Sequence, residues 1–380
     1  MTLTVLVYGS GFAGKGHVQA FRTAGCEVVG MVGRTAHVVE QVAAEMGIPY
    51  AGIDWEAALD ELKPDIVSIG TPGGAHFEPI MAAFAKGCHV FCDKPLAETA
   101  ERAKALYQTG EAAGVKTAYA ACYRYMPNVL LAKRLVAEGK IGEPLEAECI
   151  SHFNLDPLIP FGWSHRLDTG GGRLNNNFTH KLSIVESVLD MTVSRVCGTT
   201  RNDMPFAPIV SGVHDFRERR KFVPKSADDP GLEWGAADVE WSYSVLAQMD
   251  NPQFKQPVSA TFQHSGLQPR FQPDYIAFYG DKGSIYIEGH YGKGPLYFYD
   301  QSDRSLGWQT IPLPEDIIET LPNIEDDTLR NWTILACKFV NHIGSKGAVD
   351  YQTFRDGAIY QQVIDAVRGE QSWKAVLSPS

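Results

Sequence analysis

Leu3-Thr4-Val5-Leu6-Val7-Tyr8-Gly9-Ser10-Gly11-Phe12-Ala13-Gly14 decides the architecture of this chain. The first six residues are an apolar, β-branched run suited to a buried strand. They end in glycines spaced G-x-G-x-x-G, and a helix-like stretch, 15–23, follows. Strand, glycine turn and helix in that order are the context in which this spacing reads as a dinucleotide cradle. Gly9 permits the tight turn, Gly11 keeps side-chain atoms off a pyrophosphate, and Gly14 lets the helix lie close to the strand. The segment Gly9, Ser10, Gly11, Phe12, Ala13, Gly14 then offers helix N-terminal N–H groups to the phosphates.

A second strand, 27–32, leads into Gly33-Arg34-Thr35, where an NAD site would place an acidic residue on the ribose 2′-hydroxyl. No carboxylate is there to repel a phosphate, and a guanidinium is placed to pair with one. Arg34 and Thr35 therefore predict a preference for NADP, with NAD as the other option. The competing account makes Arg34 an ordinary solvated residue at a strand end.

Outward from this unit, strands and helices keep alternating. Helices are expected over 36–46, 55–62, 75–86 and, N-capped by Thr99, on to 113; strands over 66–69, 88–92 and 115–122. This is the pattern of an α/β Rossmann domain, a doubly wound parallel sheet, over residues 1–126. From Pro127 the pattern changes. One helix, 128–138, precedes strand-like segments at 145–153, 193–200, 237–249, 258–264, 275–279, 284–288 and 296–299. Asp281-Lys282-Gly283 reads as a hairpin turn. Residues 127–380 are thus expected to form a substrate-binding α+β domain with a large, mostly antiparallel sheet. Helices at 328–343 and 353–368 close the chain, the last free to pack back on the first domain. The polar stretch 202–235, with the run Arg217-Glu218-Arg219-Arg220-Lys221, reads as a long loop insertion with a solvated basic face.

The 380 residues suit two domains. A net charge of −11 argues against a nucleic-acid partner. No apolar run approaches the roughly 18 residues that span a bilayer. The N-terminus enters a strand without a basic region or cleavage site, so no secretory signal is expected. Seven scattered cysteines with no C-x-x-C pair fit a reducing cytoplasm. The histidines show no ligand spacing, so no metal is expected.

Asp93-Lys94-Pro95 directly follows the 88–92 strand, which puts Lys94 at the carboxyl edge of a parallel sheet, where ligands bind. Thr71-Pro72-Gly73-Gly74-Ala75-His76 follows the 66–69 strand at the same edge. A loop lysine is commonly plain surface; its position favours function. A second cluster starts with Trp163-Ser164-His165-Arg166-Leu167-Asp168-Thr169. It continues through Gly170-Gly171-Gly172 and Asn175-Asn176-Asn177 to His180. Three consecutive glycines permit close backbone approach to a ligand. Asn176 and His180 stand four apart at the start of an apolar helical face and share one side. Trp163 suits stacking on a sugar ring and, equally, interdomain packing. The reach of His152 and His165 is left open.

On these residues the chain resembles the glucose–fructose oxidoreductase / inositol dehydrogenase / MocA (Gfo/Idh/MocA) family. The resemblance rests on Gly9, Gly11, Gly14 and His17, on Thr71-Pro72 with His76, and on Asp93-Lys94-Pro95-Leu96-Ala97, close to the family's Glu-Lys-Pro. It extends to Tyr123-Arg124-Tyr125-Met126-Pro127, Gly170-Gly171-Gly172 with His180, and Gly280-Asp281-Lys282-Gly283-Ser284. It implies that Thr71, Pro72, His76, Asp93 and Lys94 sit against the cofactor. Lys94 would contact the reacting hydroxyl and the nicotinamide ribose, and His180 would be the general acid/base. Substrate contacts would come from Lys94, Arg124, Trp163, Arg166, Asp168, Asn176, Asn177 and His180. The implied reaction is hydride transfer between nicotinamide C4 and a secondary alcohol or ketone of a sugar, cyclitol or related polyol, in a homo-oligomer, dimer or tetramer.

One departure stands out. The family usually has an aspartate four residues before its histidine, and this chain has Asn176. An amide can orient a group but cannot stabilise an imidazolium as a carboxylate does. Three options follow: His180 acting alone, Lys94 carrying the proton, or a different chemistry. The last includes a redox-assisted lyase or glycosidase with tightly held cofactor. A non-catalytic cofactor or sugar sensor is the alternative from another class.

Overall fold

Val5, Leu6 and Val7 are fully buried, as are Ile66, Val67 and Ile69 and then Val90, Phe91 and Cys92. Such unbroken apolar runs belong to parallel strands covered on both faces. In the computed structural model, which describes residues 2–345 and 347–369, they are the centre of a six-stranded parallel sheet. Its elements are β1 (Thr4–Tyr8), α1 (Phe12–Thr23), β2 (Glu27–Val32), α2 (Ala36–Glu45), β3 (Tyr50–Gly52), α3 (Trp55–Leu62), β4 (Ile66–Ile69), α4 (Phe77–Ala85), β5 (His89–Cys92), α5 (Ala100–Ala113) and β6 (Thr117–Tyr119). The strand order is β3-β2-β1-β4-β5-β6. It reverses between β1 and β4, so a crevice opens beyond their carboxyl ends, bounded by the Gly9 turn and the Thr71 turn. α1 starts three residues before the stretch read as helical. Glycines hide the apolar period there, while close packing on β1 fixes the first turn.

The second part contains α6 (Pro127–Ala137), β7 (Pro144–His152), α7 (Thr179–Leu189), β8 (Thr192–Arg201), β9 (Phe206–Ile209), β10 (Glu233–Ala236), β11 (Ser242–Asp250), β12 (Val258–Ser265), β13 (Tyr275–Gly280), β14 (Gly283–Glu288), β15 (Leu296–Asp300), β16 (Trp308–Ile311), α8 (Glu315–Glu319), α9 (Asp327–Ile343) and α10 (Phe354–Arg368). Eight strands form one sheet in the order β16-β15-β14-β13-β7-β12-β11-β8. β7 and β12 run parallel and the other neighbours antiparallel. The stretch read as a bare loop insertion contains a short antiparallel ladder, β9 with β10, which its prolines and polar residues conceal. The strand expected from 237 starts at Ser242.

α7 is the central pillar: Leu182, Ile184, Val185, Val188 and Leu189 are all buried. A π-helical turn, Leu174–Phe178, leads into it. Both C-terminal helices return to the first sheet. α9 lays Trp332 against α1, where a Cβ on Gly16 would come within 2.3 Å of the indole. α10 packs on α5 and β6. One apolar cluster therefore runs from Leu6 and Val67 through Leu96, Tyr119 and Leu182 to Phe262 and Phe354. That continuity holds the two sheets in fixed register around the crevice between them. Among the described residues no helix is long and apolar enough to cross a membrane.

Candidate active site

At the Gly9 turn each glycine has its own reason. Gly9 has φ +113° and a Cβ there would lie 2.5 Å from the Gly70 carbonyl oxygen. A Cβ on Gly14 would collide with the Gly9 carbonyl oxygen at 1.7 Å. Gly11 is different: a Cβ there would meet no atom within 4 Å. The space over Gly11 is open, and α1 has no side-chain cap and no acidic residue in its first turn. An uncapped helix end with free N–H groups facing open space fits a dinucleotide's phosphates. Ser10 packs beside Gly33, where a Cβ would come within 2.9 Å of Ser10 Oγ. Arg34 is exposed beyond β2 and has no side-chain partner among the described residues.

The Thr71-Pro72 turn is fastened from below. His76 is fully buried, with Nε2 2.8 Å from the Thr71 carbonyl and Nδ1 3.3 Å from both the Leu96 carbonyl and Cys92 Sγ. A neutral ring with its proton on Nε2 donates to the Thr71 carbonyl, the shortest of these contacts, and leaves Nδ1 as an acceptor facing the thiol; burial keeps the ring neutral. His76 thereby ties the turn to the segment carrying Lys94. Asp93 sits between them, its charge felt by His17 and His76. Lys94 is joined to Pro95 by a cis peptide. The three-glycine run closes on this edge: at Gly170, φ +77°, a Cβ would lie 2.9 Å from Gly73 Cα. Those glycines let backbone meet backbone across the two parts of the chain.

This contact brings Lys94 to α7. Lys94 Nζ donates to Asn176 Oδ1 at 3.1 Å, and Asn176 Nδ2 donates to the Gly172 carbonyl at 3.0 Å. His180 lies one turn on, its ring edge-on to Tyr123 at 4.6 Å and to Tyr291 at 5.3 Å. Its Nδ1 is buried without a partner. Burial first, then the charges of Lys94 and His290, hold the imidazole well below its ordinary pKa, so it is neutral near pH 7. Tyr123 and Tyr291 stack at 4.3 Å. Tyr291 itself is held at φ +55°, an uncommon conformation for a bulky residue. Beside it, His290 Nδ1 is 2.7 Å from Asp274 Oδ2, and Asp274 Oδ1 takes the His152 backbone N–H at 2.8 Å.

Other expected contacts lie elsewhere. Asn177 is buried, donating to Tyr291 Oη at 2.8 Å and accepting from Tyr243 Oη at 2.5 Å, so its amide is committed to the core. Arg166 and Asp168 are exposed and paired with each other. Arg124 lies at the end of the turn Cys122–Tyr125, within electrostatic reach of Glu186, Lys133 and Tyr360. His165 is buried, with Nδ1 accepting from the Gly162 N–H. Trp163 packs against Phe216 at 5.3 Å.

Phe216 belongs to the segment read as a solvated basic loop, and the structure corrects that reading. Residues 214–219 lie as a strap over the crevice mouth. Asp215 pairs with Lys15 of α1 at 2.9 Å. The Arg217 guanidinium sits 3.6 Å above the Phe12 ring and bonds Asp326 at 3.0 Å and Thr328 at 3.2 Å. Arg219 is buried, bonded to Ser164 Oγ at 3.0 Å. Phe12 is thereby held between Arg217 and Trp332. Thr328 continues to Tyr123 Oη at 2.9 Å, which links the strap to the ring beside His180.

Against known proteins, residues 3–120 match a family model described as an oxidoreductase family with an NAD-binding Rossmann fold, and residues 129–286 match the Gfo/Idh/MocA C-terminal domain. Levoglucosan dehydrogenase of Pseudarthrobacter phenanthrenivorans is 30% identical over 225 residues, 56% of this chain and 57% of that protein. The 1,5-anhydro-D-fructose reductase of Ensifer adhaerens is 31% identical over 192 residues, 49% of this chain and 56% of that protein. The chain thus spans little more than half the length of these curated relatives. A solved levoglucosan dehydrogenase, in complex with NADH and levoglucosan, superimposes with a TM-score of 0.80. That superposition covers 97% of this chain and 96% of the other at 22% identity, a likeness of fold.

Proposed function

The chain belongs to the Gfo/Idh/MocA oxidoreductase family, and from that premise we propose that it moves hydride between a nicotinamide cofactor and a secondary alcohol or ketone of a cyclic sugar or related polyol. The observation that carries this reading is the meeting of Lys94 and Asn176, 82 residues apart and 3.1 Å from each other, one turn from a neutral His180. The likeness to two proteins named for anhydro-sugars supports a cyclic substrate.

When bound, a nicotinamide supplies the hydride acceptor or donor; the chain supplies binding, orientation and proton handling. The backbone donors at the α1 N-terminus and the open space over Gly11 would hold the pyrophosphate. An ammonium has three N–H groups. One of Lys94's is spent on Asn176, and the others are free for the oxygen of the reacting carbon. An amide at 176 fixes Lys94 without neutralising it, so the full positive charge is kept for a developing alkoxide. A neutral His180 can accept the hydroxyl proton, a contribution of about 10²–10⁴ in rate. The missing aspartate is thus compatible with alcohol oxidation.

The finer reading of the cofactor is NADP, supported by the unpartnered Arg34 and the absence of an acid in Gly33-Arg34-Thr35. A homo-oligomer built on the outer face of the second sheet is supported by exposed Leu246 and Trp308. A reducing cytoplasm is supported by seven free cysteines.

The test is a panel of cyclic sugars and polyols with NADP or NAD, followed through reduced-nicotinamide absorbance. Turnover on at least one is expected. Cofactor binding with no turnover on any would replace this reading by a sensor. Product formed with no net change in nicotinamide would replace it by a lyase or glycosidase.

A further inference from the structure

We propose that His290, oriented by Asp274, is a specificity-determining contact of this site and accepts a hydrogen bond from a ring hydroxyl other than the one oxidised. The proposal rests on the oxidoreductase reading above.

The geometry begins with a hairpin. Tyr275 pairs with Glu288 across β13 and β14, so Asp274 and His290 come together at its open end. The Gly289 N–H donates to the Asp274 carbonyl at 2.6 Å. Gly289 at φ +85° and Tyr291 at φ +55° then turn the chain sharply. Asp274 is held from several directions. Oδ1 accepts from the His152 backbone N–H at 2.8 Å and lies 3.0 Å from His152 Nδ1, and Oδ2 accepts from His290 Nδ1 at 2.7 Å. Burial alone would raise this carboxyl, yet the bonds from His290 and His152 hold it below its ordinary pKa. A carboxylate fixed in this way sets the tautomer: the proton is on Nδ1, and Nε2 presents a lone pair.

Position makes that lone pair useful. The His290 ring lies 3.8 Å from the Tyr291 ring and 4.9 Å from Phe153. Tyr291 stacks on Tyr123 and meets His180. His180 and His290 thus flank the same Tyr291 ring, and Asn176, one turn before His180, holds Lys94. Protein surrounds His290, yet 24% of its side chain stays accessible, as expected of a group lining a concavity. Lys94 at one end can only donate, and His290 Nε2 at the other accepts. Between them lies the stacked pair Tyr123 and Tyr291, whose faces are spent on each other and which walls the space between the two polar ends. A molecule that fits must carry an acceptor oxygen at the reacting carbon and an O–H donor further round the ring. A polyol has both, whereas a simple alcohol leaves Nε2 desolvated and unpaired, which such sites penalise.

The experiment is steady-state kinetics of the wild type, His290→Ala and His290→Gln on the best sugar of the panel and on its monodeoxy analogues. Calorimetric binding of the same sugar to the NADPH-saturated protein accompanies it. His290→Ala should lower kcat/KM by roughly 10- to 100-fold, mainly through KM, with NADPH affinity unchanged. His290→Gln, which keeps an acceptor oxygen, should recover part of the loss. One deoxy analogue should be used equally well by wild type and His290→Ala. Equal kcat/KM for wild type and His290→Ala on the parent sugar overturns the proposal, as does a loss of the same size on every deoxy analogue. A wild type that binds the sugar without oxidising it overturns the enzyme reading alone, and the calorimetric comparison then decides the role of His290. A wild type that neither binds nor oxidises any polyol overturns both.

Discussion

Gly11→Ala and Gly14→Ala are the same chemical change three residues apart, and the structure predicts opposite consequences. At Gly14 the added methyl carbon would stand 1.7 Å from the Gly9 carbonyl oxygen. Neither atom can move without separating α1 from β1, so the cost is that of overpacking a rigid backbone contact, about 3 kcal/mol or more. At Gly11 the methyl meets nothing within 4 Å, and the backbone there, φ −84°, suits alanine. Gly11 is the N-cap of α1. Alanine is the poorer cap by about 0.5–1 kcal/mol, and this is offset by about 0.4–1 kcal/mol of reduced unfolded-state entropy. The net change in stability is close to zero. The open space over Gly11 is where a pyrophosphate would lie, so the methyl should obstruct a ligand rather than the fold. An overpacking cost of about 1–3 kcal/mol there corresponds to about a 5- to 150-fold rise in Kd. The assay pairs thermal melts with NADPH and NADH titrations. Gly11→Ala should melt with the wild type and bind nucleotide weakly, while Gly14→Ala should melt early. Unchanged nucleotide affinity in a folded Gly11→Ala protein would refute the placement of the cofactor.

Other perturbations follow from the same geometry. Arg34→Ala should weaken NADPH binding by roughly 10- to 100-fold and NADH by less than about 3-fold, since a charge-assisted phosphate contact is lost in one case alone; equal losses would remove Arg34 from cofactor choice. Arg217→Ala removes the cation from the Phe12 ring and its bond to Asp326, together worth about 1–2 kcal/mol. Nucleotide should then dissociate roughly 5- to 30-fold faster in stopped flow, and an unchanged rate would mean the strap does not gate the crevice. Glu186 is half-buried and accepts from Tyr360 at 2.7 Å, and desolvation lifts its carboxyl to about 7 from 4.5. Its folded pKa is the higher one, so stability is fully present below about 4.5 and is lost as pH rises through 7, by an order of 3 kcal/mol. Glu186→Gln should therefore raise Tm at pH 8 and change it little at pH 4.5; the reverse pattern would contradict the assignment.

The parallel sheet was legible because its strands are continuous apolar runs punctuated by glycine, and the positions of β2, α3 and β4 follow from that alone. Thr99 was legible as a cap and does accept from the Arg102 N–H. The meeting of Lys94 with Asn176 was foreshadowed because one ends a sheet strand and the other opens a helix at a glycine run. The strap was not legible. Arg217 touches Phe12, Asp326 and Thr328, partners more than a hundred residues away, and a basic run carries no periodicity that distinguishes this from solvent. Asn177 looked like its neighbour Asn176, yet one residue of rotation through the π-helical turn sends it to Tyr243 and Tyr291. Asp274 and His290 could have been found. The hairpin turn at Asp281-Lys282 was visible, and counting outward through the paired strands sets Asp274 opposite Gly289, next to His290.

Lys94→Ala tests the central claim most directly, with NADPH affinity and the single-turnover rate of hydride transfer measured on the same preparation. The account predicts affinity within a few-fold of wild type and transfer slower by about 10²-fold or more. Transfer at a near-normal rate in a folded, nucleotide-bound Lys94→Ala protein would contradict it.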